Sequence, residues 1–102
     1  MTQTVSDSTN YLQRAASLLE SVAWDAEGAV DAEVPLRCGV AADQLYSVVG
    51  VVQGPLFDVG DHVTTIRRAI TEAIALLAAA DDPAEVVLDA LRHARRALDA
   101  IG

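Results

Sequence analysis

The feature that most constrains this chain is the spacing of its apolar residues, which recur every three or four positions along most of its length. That period matches the 3.6-residue turn of an α-helix and not the two-residue alternation of a half-buried strand. Four stripes are legible. Leu12, Ala15, Leu19, Val22, Ala26 and Ala29 form the first, and Cys38, Ala41, Leu45, Val48 and Val52 the second. Val63, Ile66, Ile70, Ala73, Leu77 and Ala80 form the third, and Ala84, Val87, Leu91, Ala94, Leu98 and Ile101 the fourth. Alanine is the strongest helix former and small enough to let helices approach closely. With Tyr11, Trp24, Tyr46 and Phe57 as the only aromatic residues, the core must be aliphatic.

Local signals place the helix ends. Ser8 or Thr9 can cap the first segment, and Pro35 fits the first turn of the second, where its missing N–H had no partner. Gly54-Pro55 stops the second segment, and Asp58 or Asp61 can cap the third. Asp82, Pro83 and Glu85 stand at N-cap, N1 and N3 of the fourth, a capping-box arrangement. The spacing therefore predicts helices over about 9–29, 35–53, 61–80 and 83–101, after a flexible N-terminus over 1–8. Short connections favour antiparallel neighbours, so the expected fold is all-α, an antiparallel up-and-down four-helix bundle in one domain over 9–102. The first junction, through Gly28 and Asp31 to Glu33, carries the weakest stop and leaves open whether the first two helices are separate or continuous.

Charge narrows the partners. The chain carries a net charge of −8 and no lysine, all seven cations being arginine. From Met1 to Asp61 nine acids face only Arg14 and Arg37, a net of −7, whereas from His62 to Gly102 six acids face five arginines, a net of −1. This field repels nucleic acid and anionic lipid and would steer a basic protein. The longest apolar run, Ala73 to Ala80, is under half of the roughly 20 residues a membrane span needs. Residues 1–10 lack the basic and apolar parts of a signal peptide, and Cys38 has no partner for an intramolecular disulfide. A cytoplasmic protein is expected.

Catalytic and metal chemistry finds little support. His62 and His93 each lack the Glu three residues earlier that bundle metal sites use, so no metal or cofactor is expected. Asp89 and His93, four residues apart, read as a surface ion pair. Cys38 lies in a core stripe, and Gly50, Gly54 and Gly60 make no phosphate loop. Arg92, Arg95 and Arg96, with Arg67 and Arg68 on the neighbouring helix, are the candidate anion site, although Asp89–Arg92 and Arg95–Asp99 are also spaced as ordinary helix-face pairs.

More informative is apolar surface off the stripes. Trp24, Val40, Tyr46, Val51 and Leu76 extend the apolar character beyond what one small bundle must bury, and a helix apolar on two sides points to an interface. The leading expectation is a non-catalytic protein that acts by protein–protein interaction, self-associates as a homodimer and binds a basic protein through its acidic half. A second is a small-molecule-binding or enzymatic bundle with a pocket near Tyr46, Cys38 and His93. A third is an acidic inhibitor that imitates nucleic acid.

Overall fold

The computed structural model describes residues 7–26, 30–50 and 62–101. Their regular structure is entirely helical: α1 spans Asp7–Asp25, α2 Glu33–Val49, α3 Val63–Ala80 and α4 Glu85–Ile101. The four-helix bundle expected from the stripes is the fold observed.

The helix ends shift by a few residues: α1 starts at Asp7, so Ser8 and Thr9, expected to cap it, lie within its first turn. α1 and α2 are separate helices: the last turn of α1 closes with the Ala26 N–H donating to the Val22 carbonyl at 2.9 Å. Asp31 then starts α2, its Oδ1 accepting the Glu33 N–H at 2.9 Å and its carbonyl accepting the Val34 N–H. Pro35 consequently lies within the first turn, where no carbonyl asks for its missing N–H. Gly50 ends α2 with φ at 80°, its N–H donating to the Tyr46 carbonyl at 2.8 Å. Only glycine takes that backbone region without penalty. The Gly54-Pro55 stop, the Asp58 and Asp61 caps, Ala29, Val51 and Val52 lie outside the described residues. At the last junction Asp81 takes the left-handed conformation, and Asp82 Oδ1 accepts the Ala84 N–H at 2.9 Å, the capping contact its position predicts.

α1 packs against α2 and α3, and α4 packs against the same two helices, so the order round the bundle is α1, α2, α4, α3. Tyr46 reaches Glu20 and Gly39 sits against Ala23, so α1 and α2 run antiparallel. Arg37 meets His93 while Gln44 meets Asp89, so α2 and α4 do too. Successive helices are neighbours at the first and last junctions, whereas α2 and α3 occupy opposite corners, an order that stripes alone do not specify.

Leu12, Leu19 and Val22 of α1 interlock in the core with Val34 and Leu45 of α2, Ile66 and Ile70 of α3, and Val87 of α4. On α4 the fully buried line continues through Ala90, Ala94 and Ala97. Leu91 and Leu98, expected in its stripe, are half-buried at the edge. Alanines at the centre let α4 come closer to its neighbours than leucines would. Val63, at the start of its stripe, and Val48, the last member of its stripe within the described residues, are exposed.

Candidate interaction surface

Helix α2 presents two different faces. Its inner face, Val34, Cys38, Ala41, Ala42 and Leu45, is buried. Its outer face is the row Glu33, Leu36, Val40, Asp43 and Ser47, spaced by three and four residues and exposed at every position. A row with that spacing lies along one side of a helix. Leu36 is 67 % exposed and Val40 38 %, so a leucine and a valine one turn apart stand in solvent between two carboxylates. Trp24, in the last turn of α1, is 71 % exposed and belongs to the same end of the bundle, near the turn that leads into α2.

Leu36 was not foreseen as a surface residue. The signal was present, because Leu36 and Val40 are four apart and both fall off the Cys38–Ala41–Leu45 stripe, but Leu36 sits where the helix was expected to be only beginning. Of the other expected contact residues, Tyr46 is half-buried on the α1–α2 seam, where its hydroxyl donates to Glu20 Oε1 at 2.7 Å. Burial, and next the hydrogen bond to Glu20, push its phenol up to about 12. Leu76 is half-buried and packs against the core.

Beside Leu36 and Val40 runs a shallow groove of about 390 Å³, lined by Ala32, Glu33, Leu36, Arg37, Val40 and His93. Its polar members belong to a chain of contacts along the α2–α4 seam. Arg37 donates from Nε to Glu33 Oε1 at 2.7 Å, and its Nη1 lies 3.2 Å from His93 Nδ1. His93 Nε2 is 3.5 Å from Asp89 Oδ2, so the two side chains expected to pair from their spacing do meet. Asp89 also accepts from Gln44 Nε2 at 2.6 Å and from Arg92 Nη1 at 3.1 Å. These donors, the Gln44 amide first, hold the Asp89 carboxyl below its usual range. Arg37 is therefore already engaged by α2 and α4 together.

The residues of the expected pocket are not brought together. Cys38 is fully buried in the core, and burial pushes its thiol up to about 12, which suppresses the thiolate that nucleophilic chemistry requires. Tyr46 faces α1, whereas His93 lines the open groove on the opposite flank of α2. Among the described residues no group of three or more His, Cys, Asp or Glu side chains is placed to hold a metal ion. Nor is any described helix long and apolar enough to cross a membrane. In the candidate anion cluster Arg92 is paired with Asp89, while Arg95 and Arg96 are exposed and form no ion pair among the described residues.

Comparison with known proteins adds no assignment: no family model, no curated protein and no solved structure matches the chain.

Proposed function

We propose that this chain is a non-catalytic protein-interaction module whose contact surface lies at the α1–α2 end of the bundle. The observation that carries the reading is the exposure of Trp24 and Leu36, at 71 % and 67 % the two most exposed large apolar side chains among the described residues. Neither is needed to fill the core. Trp is also over-represented among residues that carry binding energy. The net charge of −8 makes a basic protein the electrostatically favoured partner.

A second copy of the chain is the alternative occupant, favoured by the surplus apolar exposure of Leu36, Val40 and Val48 along one helix. Sedimentation over a micromolar concentration series separates the two. A dimer that dissociates on Leu36→Asp supports self-association. A monomer at every concentration leaves a different protein as the partner. A photo-crosslinking amino acid in place of Trp24, in the native host, tests the surface itself: discrete adducts support it, and their absence removes the argument for an interface there.

A further inference from the structure

Resting on that reading of the surface, we infer that the outer row of α2 receives a basic amphipathic helix, one with two aliphatic residues a turn apart and a Lys or Arg beyond each of them. The row on α2 reads Glu33, Leu36, Val40, Asp43, with gaps of three, four and three residues, and all four side chains are exposed. Acid, aliphatic, aliphatic, acid is a palindromic pattern. A partner helix laid along it in either direction meets a carboxylate at each end and apolar surface between.

The same symmetry argues against a second copy as the occupant. Two of these rows laid antiparallel set Glu33 opposite Asp43 at both ends, and laid parallel they set each acid against itself. Both alignments place like charges face to face, which costs binding energy and selects against the self-pair. A basic helix instead gains most at Asp43, and at the other end meets the second oxygen of Glu33, whose charge Arg37 shares.

The nearby cations cancel only part of this field: Arg37 offsets the charge of Glu33, while Asp43 forms no ion pair among the described residues. Arg37 is held by Glu33 and His93, and Glu33, whose side chain is 48 % exposed, keeps its second oxygen for an incoming donor. Arg92, exposed on α4, is paired with Asp89 and lines a separate hollow with Gln44 and Glu85. The groove beside Leu36 and Val40, lined also by Ala32 and His93, offers room for an aliphatic side chain to settle.

The test uses the intact chain and a labelled synthetic peptide of about four helical turns. It carries Leu at two positions four apart, Lys beyond each end and Ala and Gln elsewhere; a matched peptide has Glu in place of each Lys. Fluorescence anisotropy is expected to show saturable binding of the basic peptide, loss of binding with Leu36→Asp, and roughly five- to tenfold weakening with Glu33→Gln plus Asp43→Asn. Added salt weakens it further, and Leu88→Asp, an exposed leucine on α4, leaves it unchanged. Circular dichroism of each variant checks that the bundle is intact, which surface substitutions should not disturb. If the acidic peptide binds equally well, or the paired amide substitutions change nothing while Leu36→Asp abolishes binding, the basic partner is wrong and the surface stands. If Leu36→Asp has no effect on binding, or the basic peptide does not bind at all, the inference falls. Adducts at Trp24 in the native host then decide separately whether the surface itself survives.

Discussion

Helices α2 and α4 are neighbours of equal length, 17 residues each, and their outer rows follow the same spacing with opposite content. On α2 the exposed row is Glu33, Leu36, Val40, Asp43 and Ser47; on α4 it is Glu85, Leu88, Arg92, Arg95 and Asp99. The α4 row holds both signs of charge and one aliphatic residue, as a solvated helix face does, and its Arg92 pairs locally with Asp89. The α2 row holds two adjacent aliphatic residues, two acids and no cation. Both inner faces are fully buried, so the difference owes nothing to the core. The apolar content of α2 therefore exceeds what folding uses, and Leu36 and Val40 gather most of the excess on one line, with Val48 beside it.

The two faces of α2 should differ most in their effect on stability. Leu45→Ala removes a fully buried side chain and is expected to cost about 3 kcal/mol in urea denaturation. Leu36→Ala, on the outer face, should change stability by less than about 0.5 kcal/mol. A large cost at Leu36 would mean that the fold itself uses the outer row.

The α1–α2 seam comes next. Tyr46→Phe deletes the hydrogen bond to Glu20 and is expected to cost about 1 kcal/mol near neutral pH. Tyr46 and Cys38 are both pushed up to about 12, from ordinary values of 10 and 9, so the folded state holds their protons more tightly than the unfolded chain. Their contribution is complete below about pH 9 and is lost as the pH rises toward 12. Denaturation across that window should show the alkaline loss, reduced in Tyr46→Phe. A free-thiol reagent should label Cys38 only as fast as the bundle opens.

The smallest effect is a gain. A Cβ added at Gly39 would meet the Cβ of Ala23 at 3.6 Å, an ordinary contact, and the residue sits inside α2. Gly39→Ala should therefore stabilise by about 0.5–1 kcal/mol, read as a higher urea midpoint. A loss instead would show that α1 and α2 pack more tightly there than the geometry implies.

Much of this architecture is legible in the sequence because periodicity reports which residues a helix buries. Leu12, Leu19, Ile66, Ile70 and Leu77 all lie in predicted stripes and all are buried. Less legible is how each helix turns about its axis. On α4 the expected stripe includes Val87 and Ala94, which are buried, but the buried line runs on through Ala90 and Ala97 and leaves Leu91 and Leu98 half-buried, because close approach favours the smallest residues and a stripe count weights the largest. Helix ends depended on capping contacts such as Asp31 with Glu33, which spacing alone does not rank against Pro35. The surface was half legible: Trp24 and Val40 stood off their stripes, but Leu36 was hidden by a start placed two residues late.

The central claim, that the outer row of α2 is covered by a partner while that of α4 meets water, is tested most directly by one paired measurement. A photo-crosslinking amino acid is placed at Leu36 in one version of the chain and at Leu88 in another, and both are irradiated in the native host. Both positions are exposed leucines, at 67 % and 42 %. The account predicts a discrete adduct from position 36 and none above background from position 88. Equal yields from the two, or none from position 36, would contradict it.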